Sequence, residues 1–220
     1  MNIFFLAYDP ATCVAQYLNK HLIKMILETA QLLCTAVWEL DPDAAREIEG
    51  IYRPTHRNHP SAIWARASKV NWTWLRDLGL AMNREYSRRY SKGGVVKSHK
   101  SAEVIRQLVC PLDDETPFTA PPKCMPDQYK VGGSDTISTI QSYRNYIRLG
   151  KADIHDWKGA TRPSWIDDPD EEVSVDMLLP SFDAIADEPE ESVRMSFSGH
   201  RLDLLTVLLH LRVLTDFDDV

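Results

Sequence analysis

Residues 9–39, DPATCVAQYLNKHLIKMILETAQLLCTAVWE, constrain the fold more than any other stretch of the chain. Asp9 is a suitable N-cap and Pro10 fits the first helical position, where its missing N–H costs nothing. Ile23, Ile26, Leu27, Ala30, Leu33, Cys34 and Val37 then recur at helical spacing and make an apolar stripe that must be covered by other elements. A bend is expected near Asn19. The opposite side holds His21, Lys24, Glu28, Thr35 and Glu39. His21, Lys24 and Glu28 stand at i, i+3 and i+7 and so share one face. By spacing alone that is an ordinary solvated face.

The rest of the chain repeats the helical period. HPSAIWARASKVNWTWLRDLGLAMNREYSRRYSK, 59–92, reads as a second long helical stretch that opens at Pro60 and stops at Gly93-Gly94, with Asn71 as a point of interruption. Shorter helices are expected over 101–109 and 135–151, and a turn of helix within 41–60. NIFFLAY, 2–8, reads as a short strand or buried arm. The segment 110–130 is proline-rich and irregular, and loops of that length tend to be functional or disordered. With no alternating strand series, the expected fold class is all-α.

Charge divides the chain. Its 220 residues carry a net charge of -7, yet residues 1–166 hold 22 Lys and Arg against 17 Asp and Glu, while 167–220 hold 3 against 15. The expected organisation is a helical domain over 1–166, an acidic linker over 167–198 and an apolar helix over 199–217. That last helix packs on the body or forms a homodimer. A mildly basic body is compatible with a nucleic-acid partner although the whole chain is acidic. No apolar run reaches the length of a membrane span, so no membrane partner is expected. The four cysteines form no CxxC pair, which fits a cytoplasmic protein. No Gly-rich phosphate loop appears, and no cofactor is expected.

Three clusters carry potential chemistry. THRNHPSAIW, 55–64, sets His56, Arg57, Asn58 and His59 just before a helix, a pattern suited to phosphate contact. The His56–His59 spacing alone does not make a metal site, and no metal is expected. The basic, tyrosine-rich runs REYSRRYSK, 84–92, and YRNYIRLGK, 143–151, supply Arg84, Arg88, Arg89, Arg144 and Lys151 as candidate phosphate contacts, with Arg162 beyond them. Most of Trp64, Trp72, Trp74, Trp157 and Trp165 should be core, with one or two able to stack on an extruded base.

Taken together, KHLIKMILETAQLL, HRNHPSAIWARAS, REYSRRY, CMPDQYK and YRNYIRLGK with RPSW resemble phage-encoded proteins distantly akin to pyrimidine-dimer DNA glycosylases of the endonuclease V type, over residues 1–166. Those small helical enzymes place a histidine seven residues before a catalytic glutamate. The resemblance therefore implies Glu28 as the catalytic acid/base or cation stabiliser and His21 as its orienting or phosphate-contacting partner. It also implies duplex DNA as substrate, with the damaged or modified pyrimidine or its partner base extruded. The family's nucleophile is an N-terminal α-amine that forms a Schiff base with deoxyribose, exposed by removal of the initiator Met. Asn2 disfavours that removal here, and the amine would have to be returned to Glu28 by an apolar segment suited to burial. Lys24, one turn from Glu28, is the alternative amine.

Three functions follow as expectations. The first is a glycosylase/lyase-like enzyme of DNA repair acting on a damaged or modified pyrimidine. The second is a DNA-modification transferase that places an amine or amino acid on an activated thymine methyl group, with Glu28 deprotonating the amine. The third is a non-catalytic DNA-binding protein whose acidic tail occupies its basic groove.

Overall fold

The amino-terminal arm explains much of the architecture. In the computed structural model, which describes residues 1–114, 116–168, 171 and 173, Ile3, Phe4, Phe5, Leu6 and Ala7 are all buried, yet they pair with no strand. Buried backbone groups need partners, and side chains supply several of them here. Tyr17 donates its hydroxyl to the Phe4 carbonyl at 2.7 Å, and the Trp74 indole N–H donates to Tyr8 O at 2.7 Å. Cys13 Sγ accepts from the Leu6 N–H and donates to Phe4 O, each at 3.3 Å. The arm is thus a core segment laced to helices, with each large apolar side chain contributing about 1.5–3 kcal/mol of burial.

The described residues form seven α-helices: α1 Pro10–Ala15, α2 Asn19–Leu40, α3 Pro42–Glu47, α4 Pro60–Ala65, α5 Lys69–Tyr90, α6 Lys100–Gln107 and α7 Thr136–Gly150. No sheet occurs among the described residues, and the fold is all-α. Asp9 caps α1 as expected, its carboxylate accepting from Thr12 N–H at 2.7 Å with Pro10 at the first position. The bend expected near Asn19 is the break between α1 and α2. α5 lies against both α1 and α2, and α4 and α6 flank α2.

The second helical stretch breaks earlier than expected. α4 ends at Ala65 and α5 begins at Lys69, capped by Ser68, whose hydroxyl accepts from Asn71 N–H. Asn71 does not interrupt the helix. It is buried, and its side chain donates to Trp64 O and Thr119 Oγ1 and accepts from Thr119 N–H. It thereby fastens the irregular 110–130 segment to the body. After α5, Gly93 and Gly94 adopt φ of 60° and 77°, the left-handed conformation that lets Lys92 and Val95 face each other across a tight turn.

The apolar stripe of α2 also needs correction. Ile26, Ala30, Leu33, Cys34 and Val37 are buried as expected, but Ile23 and Leu27 are exposed, while His21 and Glu28 are buried. The arm covers the last two, Phe4 stacking on His21 and Asn2 bonding to Glu28. Most of the acidic linker, and all of the 199–217 helix and the dimer it would form, lie outside the described residues. Among the described residues, no helix is long and apolar enough to cross a membrane.

Candidate active site

Glu28 sits in the middle of α2, where the arm crosses the helix. Its side chain is only 11 % exposed. The backbone N–H of Asn2 donates to Glu28 Oε2 at 2.9 Å, and the amino group of Met1 lies 3.7 Å from the same oxygen. Lys24, one turn earlier on the helix, puts Nζ 3.3 Å from Oε1. One carboxylate therefore holds an amine on each oxygen. The Lys24 side chain is 71 % exposed, so this i,i+4 pair contributes at most about 0.5 kcal/mol to stability. The Met1 side chain is 4 % exposed, and its amine is fixed by the arm.

The 56–59 segment lies against the same helix, two turns beyond Glu28. Thr35 on α2 accepts from Thr55 N–H at 3.1 Å, and the Trp38 indole donates to Tyr52 O at 3.0 Å, so the loop is strapped to the helix that carries Glu28. His56 has φ of 51°, a left-handed conformation uncommon outside glycine, and its Nδ1 lies 2.7 Å from Thr55 Oγ1. The strained residue sits where the chain turns toward α4. His59 caps α4, with Nδ1 accepting from Ser61 N–H at 3.1 Å, so the neutral ring carries its proton on Nε2. Burial lowers the basicity of His59, and the amino terminus and His56 lower it further, while Glu28 opposes them. His59, the amino terminus and Glu28 thus lie within electrostatic reach of one another. Arg57 pairs with Glu39 at 3.0 Å and remains largely exposed, as does Asn58.

His21 does not join them. Two helical turns, about 10 Å along the axis, separate it from Glu28. Its ring stacks on Phe4 with centroids 4.1 Å apart, and among the described residues its buried Nδ1 has no hydrogen-bond partner. Burial, with Lys151 and Lys24 nearby, pushes its pKa down to about 4. The neutral imidazole belongs to an aromatic stack that runs from Phe4 to Tyr146 and on to Tyr129, with Lys151 Nζ 4.8 Å above the Tyr146 ring.

The other candidate cations divide by exposure. Arg84 and Arg88 are exposed, and Arg88 grips Glu85 through two bonds of 2.6 and 2.7 Å. Arg89 is turned inward, with its side chain fully covered. It donates to Glu85, to the carbonyls of Tyr17 and Ala15 and to Asn19 Oδ1, closing the C-terminal end of α1. Arg144 is buried with its guanidinium 5.4 Å from the centre of the Trp165 ring, and Glu171 counters the loss of basicity that burial imposes. Neither placement suits a phosphate contact. Arg162 is exposed, forked onto Asp167 at 2.7 and 3.1 Å and placed over Trp157. Trp64, Trp72, Trp74, Trp157 and Trp165 are all buried, which leaves none of these five free to stack on a base.

A surface cleft of about 810 Å³ lies elsewhere, between the end of α1, α5 and the 159–164 segment, with Gln16, Arg88 and Arg162 in its walls. Arg88 pairs there with Glu85 and Arg162 with Asp167, and none of Glu28's neighbours lines it. Among the described residues, no group of three or more His, Cys, Asp and Glu side chains could hold a metal ion.

Residue spacing did not reveal Asn2, Tyr143 or Cys124 as neighbours of this site. Tyr143 donates its hydroxyl toward Asn2 Oδ1 at 2.7 Å across 141 residues, and no local pattern encodes such a contact. The apolar start of the chain was the available signal, since it had to be buried against something. Comparison with protein-family models, with curated proteins and with solved structures finds no match to this chain.

Proposed function

We propose that the protein is a DNA-acting enzyme, glycosylase/lyase-like, that attacks the deoxyribose of a damaged or modified pyrimidine nucleotide with an amine activated by Glu28. The observation that carries this reading is the shielded carboxylate holding the Met1 amine and the Lys24 amine on its two oxygens. A protonated amine has no lone pair to donate, and a carboxylate in contact with it can take the proton. The free amine then forms a bond to C1′. The glycosidic bond breaks with its electron pair leaving on the base nitrogen, which is protonated. Transfer of the second amine proton to O4′, with opening of the C1′–O4′ bond, leaves a protonated imine to the sugar, the form that borohydride reduces.

Of the two amines, that of Met1 is the proposed nucleophile. The arm holds it in place, whereas Lys24 sits on a flexible, exposed stem. Preorganisation of this kind can contribute several kcal/mol to a rate, on the order of 7–11 in well-oriented cases. In this reading the exposed Lys24 and the exposed His56, Arg57 and Asn58 meet phosphate oxygens, and the net positive charge of residues 1–166 favours approach to a polyanion.

Incubation with duplex DNA carrying damaged or hypermodified pyrimidines, with borohydride present, tests the proposal. Base release and a covalent protein–DNA adduct are expected. Neither product on any such duplex rejects it.

A further inference from the structure

The first two residues are held by a set of hydrogen bonds that the chemistry above does not use directly. Asn2 Nδ2 donates to Cys124 O at 3.0 Å, and Asn2 Oδ1 accepts from Ile3 N–H at 2.8 Å. The Tyr143 hydroxyl lies 2.7 Å from both Asn2 Oδ1 and Pro122 O, and Cys124 N–H donates back to the Tyr143 oxygen at 3.3 Å. Tyr143 is fully buried, and burial holds its phenol well above the usual tyrosine range, so it stays a donor at any physiological pH. The Cys124 thiol meets the buried Ser61 hydroxyl at 3.6 Å, on the helix that His59 caps. The arm, the 122–124 segment and α7 therefore meet at Asn2, and α4 reaches that segment through Cys124.

An extended chain end has no reason to remain at one carboxylate. Backbone rotation at residues 1 and 2 would carry the amine away from Glu28 for little cost unless the side chain of residue 2 is pinned. Here both polar atoms of that side chain are bonded, one to each neighbouring segment. Pinning the side chain aims the backbone N–H of Asn2 at Glu28 Oε2 and leaves the Met1 amine beside it.

We propose that Asn2 and Tyr143 form a positioning clamp that fixes the amino terminus on Glu28. This rests on the reading of Glu28 as the group that activates the Met1 amine. Neither clamp side chain touches the reacting atoms, and the one contact Asn2 makes with them is its backbone N–H on Glu28 Oε2. Both set the direction from which the amine approaches.

The test uses the full chain and two readouts. The residue-2 amide resonance in a 15N–1H spectrum reports acceptance by Glu28, and Glu28→Gln is expected to move it. In a Tyr143→Phe background the same substitution should move it far less, because the amide no longer points at position 28. In parallel, Tyr143→Phe and Asn2→Ala should slow borohydride-trapped adduct formation by about tenfold to 100-fold, as a misplaced amine would. Affinity for the duplex should stay within about twofold, because neither residue faces solvent-side phosphates. Should Tyr143→Phe fail to fold, Asn2→Ala carries both readouts at a position in the arm. An unchanged Glu28-dependent shift together with an unchanged trapping rate overturns the clamp. Should the unaltered protein trap no duplex, the spectrum alone decides the clamp, and the failure belongs to the proposed reaction.

Discussion

Two helices begin with the same four-residue pattern, His59-Pro-Ser-Ala at α4 and His99-Lys-Ser-Ala at α6. In both, the histidine is the N-cap and its Nδ1 accepts from the serine N–H two residues on, at 3.1 and 3.3 Å. In both, the serine and alanine that follow are buried. The surroundings differ. Burial alone lowers the basicity of His99, which is met edge-on by Tyr86 at 5.7 Å, and its N–H donates to Asn83 Oδ1. His59 also feels the amino terminus, His56 and Glu28. The pattern encodes a helix start in each case. Tertiary placement makes one of them the edge of a candidate active site.

The difference can be broken most severely at Glu28. Glu28→Gln removes the proposed proton acceptor, and adduct formation should fall by about 100-fold or more. Trapping assays on the same duplex measure this. Loss of activity by less than about threefold would leave the two helix starts chemically alike.

Acid comes next, because both capping histidines and His21 are less basic in the folded protein. A histidine with a folded pKa below its unfolded value of about 6.5 favours unfolding as it is protonated. Stability is therefore intact above about pH 6.5 and is lost as the pH falls toward 4. For His21, shifted to about 4, the loss reaches about 3 kcal/mol at the acid end. Urea unfolding at several pH values should show it, and His21→Phe should remove most of that slope while preserving the stack on Phe4. An equal slope in the variant would assign the acid sensitivity to other groups.

The smallest effects separate cap from site. His59→Ala and His99→Ala should each cost about 1 kcal/mol through the lost cap. His59→Asn and His99→Asn keep a capping acceptor and should recover most of it. Only the changes at position 59 should alter the rate of trapping. Equal kinetic effects at both positions would show that stability alone is being measured.

Much of this arrangement was legible in the sequence. Asp9-Pro10 announced α1, the helical period gave α2, and the shared face of Lys24 and Glu28 put a cation beside a carboxylate. The remainder depends on where the chain returns. The apolar 2–8 segment was read as suited to burial and therefore as a poor carrier for an amine. It does both, because its buried residues run across α2 and leave the terminus at Glu28. The same crossing buries His21 under Phe4. Arg88 and Arg89 are adjacent in a basic run, yet one points outward and the other folds back on the carbonyls of Ala15 and Tyr17. Composition cannot distinguish them, since only the packing of α1 on α5 supplies those carbonyls.

The central claim is that an amine on Glu28 is the nucleophile and that it is the one the arm delivers. Peptide mapping of the borohydride-trapped adduct by mass spectrometry tests it most directly. The account predicts the deoxyribose remnant on the α-nitrogen of Met1. A remnant on Lys24 Nζ, or on neither amine, would contradict it.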